Sequence, residues 1–277
     1  MNDALRLGPL LLPYTLLLVF AAAGTSLLVG RRVGKSTGVD PEGTLWNAML
    51  IGALVARLAF VLEYKTLYFS SPLSILDIRD GGWNATAGLA GVWFYAFHRY
   101  QKNPALRLAL QRSLLAGTAV FALGIGLLAI QPGRGQPVGL PDLQLASLAS
   151  PGGPTAPTVR LADFAGKPTV INLWATWCPP CVREMPMFVE AQRQHADVHF
   201  VFINQGEDGA QVARWLHSRQ LSLANMLLDE KRSASAVFKQ QGYPTTLFFN
   251  ARGELVGSRL GELSAATLEQ NLERARR

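Results

Sequence analysis

Cysteine is scarce in this 277-residue sequence, which contains only Cys178 and Cys181. Two cysteines separated by two residues cannot crosslink distant segments, so a disulfide-stapled scaffold is excluded. Charged residues are also scarce, at 16%, whereas hydrophobic residues make up 49% and the mean hydropathy is +0.17. This balance excludes intrinsic disorder and argues against a wholly soluble protein. The length favours two medium-sized domains.

The net charge of +7 is concentrated in the first half of the chain. Residues 1–137 hold 12 Lys and Arg against 6 Asp and Glu, whereas residues 138–277 hold 14 against 13. A basic excess within an apolar region is typical of membrane orientation. Nucleic-acid binding would need a basic patch on a soluble domain, and the basic excess lies in the apolar half, so no nucleic-acid partner is predicted.

Four apolar stretches are long enough to cross a hydrocarbon core of about 30 Å, which needs roughly 20 helical residues. They cover residues 8–30, 44–63, 83–98 and 113–131. No small-residue cleavage site follows the first stretch before Arg31, which favours a retained anchor over a removed signal peptide. The sequence therefore predicts an α-helical membrane domain of about four transmembrane helices at residues 1–131.

The Lys and Arg residues beside these stretches favour one orientation, because such residues are retained on the cytoplasmic side. Seven follow the first and third stretches, and four lie on the other side. This asymmetry predicts that both termini lie outside the cytoplasm. The C-terminal half would then be exported into a compartment where disulfides form.

Three segments of the membrane half form a recognisable set: VARLAFVLEY at 55–64, PLSIL at 72–76 and GGWNATAGLAG at 81–91. Together they resemble the early part of prolipoprotein diacylglyceryl transferase, over residues 8–105. The resemblance implies a shared membrane scaffold with candidate lipid contacts at Tyr14 and Arg57. Thr86 stands where that family carries a histidine important for activity, and the family's later region is missing. Transfer activity is therefore an alternative function and not the leading one.

Arg57 is an ionisable residue inside the second predicted span. A charge at that depth is costly and usually faces protein, water or a partner, which makes Arg57 a functional candidate. The alternative is a structural role, such as snorkelling or a pair with Glu63.

Proline and glycine interrupt the chain after the fourth span, at residues 131–137. Such a segment cannot continue a helix or a strand ladder, and residues 132–140 are predicted to be a linker. A second turn-rich stretch, residues 149–157, is either a surface loop of the next domain or further linker.

Residues 141–277 alternate short apolar runs with helical patterns, which predicts an α/β domain around one sheet. The predicted strands are 169–174, 198–203 and a hairpin of 245–249 with 254–257. The predicted helices are 181–195, 208–219 and 265–276. A strand, a CxxC motif at a helix start, and a later hairpin led by proline are in the order found in thioredoxin.

Three motifs in this half agree in order and spacing: NLWATWCPPC at 172–181, EMP at 184–186 and GYPTT at 242–246. They make residues 138–277 similar to the TlpA/ResA/CcmG branch of membrane-anchored thiol-disulfide oxidoreductases. The resemblance implies a bacterial inner-membrane enzyme with a thioredoxin-like domain in the periplasm or extracytoplasmic space. It implies no cofactor beyond a redox-active Cys178–Cys181 disulfide.

The two cysteines are predicted to have different roles. A cysteine at the start of a helix has its thiolate stabilised by unpaired N–H groups and the helix dipole, so Cys178 is the attacking group. Cys181 lies one turn further in and resolves the mixed disulfide. The four histidines show no spacing that would complete a zinc site, and Val182 replaces the histidine that a haem attachment motif needs.

Four further residues are candidates for the site. The resemblance implies a cis peptide bond before Pro244, and the backbone of Tyr243 would pair with an extended client segment near Trp177. Asn172 stands where ordinary thioredoxins bury an aspartate. The resemblance places Glu207 near the cysteines, where it would exchange a proton with Cys181. Alternatively, Glu207 caps the following helix.

The predicted function is reduction of disulfides in exported proteins, with cytochrome c maturation as one use. Both cysteines lie in the CxxC motif, so the membrane half cannot relay electrons by thiol exchange. A separate membrane thiol reductase is therefore predicted as the electron donor. The alternatives are a disulfide oxidase or isomerase, lipid transfer to prolipoproteins, and a holdase that uses only the peptide groove.

Overall fold

The computed structural model describes residues 4–7, 10–69, 72–130, 139–148, 157–240 and 242–277. The chain forms two compact units. The N-terminal unit holds Asp3–Leu76 and Gly82–Gly135, and the C-terminal unit holds Gln136–Arg277 with Asp77–Gly81. The turn-rich segments 131–137 and 149–156 of the sequence analysis lie outside the described residues. Leu140, at the end of the predicted linker, donates its N–H to the carbonyl of Gly253.

Helices make up most of the N-terminal unit, and α1 packs along α5 while α2 packs along α4. The helices are α1 (Tyr14–Thr37), α2 (Glu42–Glu63), α3 (Lys65–Phe69), α4 (Ala85–Lys102) and α5 (Arg107–Ile130). Short 3₁₀ turns cover Pro72–Leu76, Ile78–Asp80 and Pro104–Leu106. Two strands, β1 (Ala4–Leu7) and β2 (Leu10–Pro13), pair antiparallel before α1.

Three helical segments among the described residues are long and apolar enough to cross a membrane: Tyr14–Thr37, Glu42–Glu63 and Pro104–Ile130. The predicted third span falls on α4, which is not one of these three, so the count of four stays a prediction. The expected start of the first span at residue 8 is wrong. Residues Leu10–Pro13 pair with Ala4–Leu7 as a strand, and the helix begins only at Tyr14.

Small residues allow α2 and α4 to approach closely. A Cβ atom added at Gly52 would lie 3.0 Å from the carbonyl oxygen of Gly88 and closer still to Val92. Helices that pack within a bilayer commonly use small residues in this way. The predicted membrane scaffold thus has tightly packed helix pairs.

A seven-stranded sheet forms the centre of the C-terminal unit. Its strands are β3 (Gln144–Ser147), β4 (Thr158–Arg160), β5 (Thr169–Trp174), β6 (His199–Gln205), β7 (Met226–Asp229), β8 (Thr245–Phe249) and β9 (Leu255–Leu260). The spatial order is β4-β3-β7-β6-β5-β8-β9, with β5, β6 and β7 parallel and the other pairs antiparallel. The helices are α6 (Pro179–Gln194), α7 (Gly209–Ser218), α8 (Ser233–Val237) and α9 (Ala265–Ala275).

Strand β5 lies between β6 and β8 and is buried along its whole length. One face of the sheet packs against α6, where the rings of Phe188 and Phe202 lie 5.3 Å apart. The other face packs against Phe238, which follows α8. A strand covered on both faces is expected to be mostly apolar, as four of the six residues of β5 are, and its bounds agree with the sequence prediction.

Other boundaries differ from the predictions for identifiable reasons. Helix α6 begins at Pro179 and not at Cys181, because proline at the first helical positions needs no N–H partner. Strands β3, β4 and β7 and helix α8 were not predicted. Each has three to five residues, which is too short for a clear periodic pattern.

Candidate active site

The CxxC motif lies where the central strand passes into α6. Strand β5 ends at Trp174, and the N–H of Cys178 donates to the carbonyl of Ala175 to close a tight turn. Cys178 is the N-cap of α6, and Pro179 and Pro180 occupy the first two helical positions. The end of β5 therefore places Cys178 at the N-terminus of α6, where backbone N–H groups have no partner within the helix.

Cys178 and Cys181 form a disulfide, and their Cα atoms lie 5.3 Å apart. The backbone N–H of Cys181 points at the sulfur of Cys178, with 3.4 Å between N and Sγ. It is the first N–H after the two prolines, so the donor nearest to the Cys178 sulfur lies beyond Pro180. Cys178 is 4% exposed and Cys181 is fully buried. Cys178 is therefore the more accessible sulfur.

Two predicted binding residues that are distant in sequence meet beside this motif. The rings of Trp177 and Tyr243 lie 6.0 Å apart in an edge-to-face arrangement. The Tyr243–Pro244 peptide bond is cis, as predicted. Trp177 is 57% exposed, whereas Pro244 is buried and Tyr243 is half-buried. The pair forms an aromatic surface next to Cys178.

Glu184 is a buried acid outside the set of site residues predicted from sequence. It lies three residues after Cys181 on the same buried face of α6 and is only 2% exposed. Its carboxyl accepts from Asn172 Nδ2 at 2.8 Å and from the N–H of Leu263 at 3.2 Å. Burial raises the pKa of Glu184 to about 8, while these two hydrogen bonds act in the opposite direction. A carboxyl of this kind can both give and take a proton near neutral pH.

Helical spacing was the signal that could have identified Glu184. Cys181, Glu184, Met185 and Phe188 follow the spacing of one helix face, and all four are buried. Because glutamate is rarely buried in proteins, this spacing alone did not lead to a prediction that Glu184 lies in the core. Asn172, which stands where ordinary thioredoxins bury an aspartate, therefore has an acid beside it, because its side-chain amide donates to Glu184 on α6.

Glu207 lies at the end of β6 and binds the turn before the cysteines. Its carboxyl accepts from the N–H of Thr176 at 2.7 Å and from the hydroxyl of the same residue. It also accepts from Asn204 Nδ2 at 2.7 Å and Gln211 Nε2 at 3.0 Å. The N-cap of α7 is Asp208 and not Glu207. Glu207 therefore joins the active-site turn to β6 and α7, and proton exchange with Cys181 stays a prediction.

The candidate lipid contacts lie in the N-terminal unit. The guanidinium of buried Arg57 donates to the carbonyls of Ser74, Ile75 and Gly82 at 2.8–3.1 Å. It also lies 5.0 Å from the ring centre of Tyr68. These contacts favour the structural alternative for Arg57. Tyr14 is the first residue of α1, and lipid contact at either residue stays a prediction.

The C-terminal half of the sequence matches known proteins. The Redoxin family model matches residues 135–274, half of the chain. The thioredoxin-like protein YneN of Bacillus subtilis is 30% identical over 117 residues, which cover 41% of this chain and 68% of that protein. The thiol-disulfide oxidoreductase ResA of Halalkalibacterium halodurans is 27% identical over 118 residues, which cover 42% and 66%.

Two further matches have similar names. The thiol:disulfide interchange protein DsbE of Vibrio cholerae is 26% identical over 136 residues, which cover 48% of this chain and 69% of that protein. A solved thiol:disulfide interchange protein of the thioredoxin family from Chlorobium tepidum is 23% identical, with a TM-score of 0.44, and the match covers 50% and 97%.

The region matched by the Redoxin model contains the CxxC motif and the strands that position it. Thioredoxin-like proteins of this kind use their own cysteine pair and need no cofactor. Within the described ranges, no group of three or more His, Cys, Asp or Glu side chains is arranged to hold a metal. The chain therefore belongs to the Redoxin family, and its C-terminal half is a thioredoxin-like thiol-disulfide oxidoreductase of the ResA and DsbE type.

Proposed function

We propose that the chain is a multi-pass inner-membrane protein whose C-terminal domain reduces disulfides in exported proteins. One observation carries the proposal: the sulfur of Cys178 caps α6 and accepts the N–H of Cys181. A sulfur in that position is stabilised as a thiolate, which is the form that attacks a disulfide. The resolving sulfur of Cys181 is already within bonding distance.

The proposed reaction is two successive exchanges. The Cys178 thiolate attacks one sulfur of the client disulfide, forms a mixed disulfide and releases the other client sulfur as a thiolate. Cys181 then loses its proton and attacks Cys178, which closes the enzyme disulfide and releases the second client thiol. The client gains two electrons and two protons, and the enzyme loses the same number.

The proton from Cys181 needs an acceptor within the buried core. Glu184 is suited to this role, since it lies one helical turn from Cys181 and burial raises its pKa to about 8. Glu207 has a different proposed role, because Thr176 occupies both of its carboxyl oxygens. It holds the turn that carries exposed Trp177 and the attacking Cys178.

Client binding is assigned to the surface formed by Trp177, Tyr243 and Pro244. An extended client segment would pair with the backbone at Tyr243, as a strand added to a sheet edge. The exposed indole of Trp177 would contact the side chains that flank the client cysteine. Recognition of backbone and apolar groups suits a protein that acts on several clients, with apo-cytochrome c as one of them.

The N-terminal unit is proposed to span the membrane, with residues 1–131 as the membrane domain and 141–277 as the exported domain. The strongest support comes from one face of α2. Leu50, Leu54, Leu58 and Leu62 repeat every four residues, and each is more than half exposed. A continuous row of exposed leucine side chains is unfavourable in water and favourable against lipid. The seven-to-four distribution of Lys and Arg supports export of the C-terminal half.

A partner must return the enzyme to its reduced form after each cycle. The only two cysteines of the chain are the active pair, so the electrons must come from another protein. We propose a membrane thiol reductase, because it would have to deliver electrons to a thiol on the exported side.

Capture of mixed disulfides tests this proposal. A Cys181→Ser variant cannot resolve the mixed disulfide. It should therefore retain client proteins that are disulfide-bonded to Cys178, and thiol reductants should release them. The reduction potential of the purified chain separates a reductase from an oxidase or isomerase. A Cys178→Ala variant that keeps full cellular function would show that the protein is a holdase. Failure to trap any exported protein would contradict the reductase assignment.

A further inference from the structure

A chain of hydrogen-bonded polar side chains leads from Tyr243 through Ser235 and Gln205 to Asp229. The hydroxyl of Tyr243 lies 2.9 Å from Ser235 Oγ. Ser235 Oγ donates to Gln205 Oε1 at 2.8 Å, and Gln205 Nε2 donates to Asp229 at 3.0 Å. Gln205 is fully buried and Asp229 is 3% exposed. None of these groups has a part in the proposed sulfur exchange.

This chain of hydrogen bonds is anchored at Asp229, which sets the orientation of the Gln205 amide. Asp229 accepts the N–H groups of Ser233 and Ala234 at the start of α8. Its remaining partner must also be a donor, so the amide of Gln205 turns its nitrogen to Asp229 and its oxygen to Ser235. The oxygen of Gln205 accepts from Ser235 Oγ at 2.8 Å and from the hydroxyl of Tyr243 at 3.5 Å, and the two hydroxyls also bond to each other. The phenol of Tyr243 is therefore held by two polar partners.

The orientation of Tyr243 in turn affects Trp177. The two rings pack edge to face, a geometry that depends on the angle of both partners. Trp177 adjoins Cys178 and is mostly exposed, so its position depends largely on this contact. A fixed position of the Tyr243 ring thus determines the shape of the aromatic surface beside the sulfur of Cys178.

We infer that Ser235 and Gln205 are positioning residues that hold Tyr243, and through it Trp177, as a preformed binding surface for client segments with apolar side chains beside the disulfide. The inference deepens the proposed function and rests on it. A preformed surface reduces the cost of ordering side chains when the client binds. The network should therefore affect client binding and leave the sulfur exchange itself unchanged.

Two substrates distinguish an effect on client binding from an effect on sulfur exchange, both measured with the full-length protein in detergent. The first is a peptide of about twelve residues whose single cysteine, flanked by leucines, is disulfide-linked to glutathione. The second is hydroxyethyl disulfide, which has no flanking chain. The variants are Ser235→Ala and Tyr243→Phe, each of which removes one hydroxyl, and Ser235→Thr, which keeps it. Ser218→Ala, at the exposed end of α7, is the matched control for loss of a serine hydroxyl.

We expect Ser235→Ala and Tyr243→Phe to raise the KM for the peptide about three- to tenfold, the effect of losing one hydrogen bond. In Ser235→Ala, the kcat for the peptide and the rate with hydroxyethyl disulfide should change less than about twofold. Ser235→Thr and Ser218→Ala should match the wild type. Because alanine favours a helix, Ser235→Ala should not unfold α8. Tyr243→Phe removes the other hydroxyl of the same hydrogen bond and so tests the peptide KM independently.

An unchanged peptide KM in both hydroxyl variants would overturn the inference, as would an equal loss with both substrates. Failure of the wild type itself to reduce either disulfide would instead contradict the proposed function, and the inference would fall with it. The two failures are therefore distinguishable by the wild-type measurement.

Discussion

At the scale of single residues, the two cysteines are chemically alike and differ only in their surroundings. Cys178 receives an N–H from the helix start, whereas Cys181 is fully buried inside the first turn. Thiolate stabilisation and access both favour attack by Cys178. Position on the helix, and not residue type, therefore assigns the roles.

The first prediction concerns alkylation of the reduced protein. Cys178 should react faster than Cys181 with iodoacetamide, and its rate should level off at a lower pH, because its thiolate forms more readily. Mass spectrometry of peptides after timed quenching measures both rates in the same sample. Equal rates for the two sulfurs across the pH range would contradict the assignment.

The second prediction concerns Glu184 and the pH dependence of stability. Its pKa is about 8 in the folded protein and near 4.5 in the unfolded chain. The folded state therefore binds more protons between those values, so the free energy of unfolding falls as the pH rises from about 4.5 to 8. Below that window both states are protonated, and above it neither is. Stability from this group is greatest in acid.

Replacement of Glu184 by glutamine removes the titrating group at nearly constant shape. Between pH 5 and pH 8 the wild type should lose about 1–3 kcal/mol more free energy of unfolding than Glu184→Gln. Urea titration of the oxidised chain in detergent, followed by tryptophan fluorescence, measures this difference. Glu190→Gln, at an exposed position on the same helix, is the control and should behave like the wild type. Parallel curves for the wild type and Glu184→Gln would show that Glu184 does not titrate in this window.

At the scale of structural elements, the active site depends on three segments that meet at the end of β5. Helix α6 supplies the N–H for Cys178, the cis Tyr243–Pro244 segment supplies the aromatic partner of Trp177, and the end of β6 supplies Glu207. Glu207 is the link between the turn and the sheet, since it accepts hydrogen bonds from both. Its loss should loosen the turn.

The third prediction is that Glu207→Gln slows disulfide exchange by the same factor at every pH and lowers the free energy of unfolding by about 1–3 kcal/mol. The amide nitrogen of glutamine would face donors that the carboxyl now accepts, and leaving a buried donor unpaired has a cost of this size. Asp208→Asn keeps a side-chain cap on α7 and is the control. A shift in the pH profile of exchange would instead support the predicted proton exchange with Cys181.

Sequence alone predicted those elements whose pattern is strong and local. Strand β5 was placed correctly because a strand buried on both faces is rich in β-branched and aromatic residues, and Cys178 was placed at a helix start from the motif. The contacts of Asn172 with Glu184 and of Glu207 with Thr176 join residues 12 and 31 positions apart. Such contacts depend on how α6 and β6 pack against β5, which no local pattern encodes.

At the scale of the whole molecule, the proposed function depends on which side of the membrane each part occupies. The fourth prediction is that a reporter fused after Arg112 behaves as cytoplasmic and one fused after Arg277 as exported. It rests on the seven-to-four distribution of Lys and Arg. Alkaline phosphatase and green fluorescent protein fusions give opposite signals in the two compartments. Reversed signals would place the cysteine pair in the reducing cytoplasm.

The last prediction separates the two halves by activity. The membrane half is expected not to act as a diacylglyceryl transferase, because transfer needs a base to activate the client thiol. Thr86 stands where the resembled family has a histidine, and a hydroxyl cannot replace an imidazole as a base near neutral pH. Arg57 cannot take the proton either, because a guanidinium has no acceptor atom and its N–H groups donate to three backbone carbonyls.

Two experiments check this expectation. The chain should fail to complement a strain depleted of its transferase, and growth of that strain would contradict the prediction. A variant in which residues 139–277 are joined to an unrelated single membrane span of the same orientation should keep most of the reductase activity. Loss of that activity, with the domain still exported and oxidised, would show that the N-terminal unit contributes more than an anchor. The N-terminal unit would then have to present clients or the electron donor to Cys178.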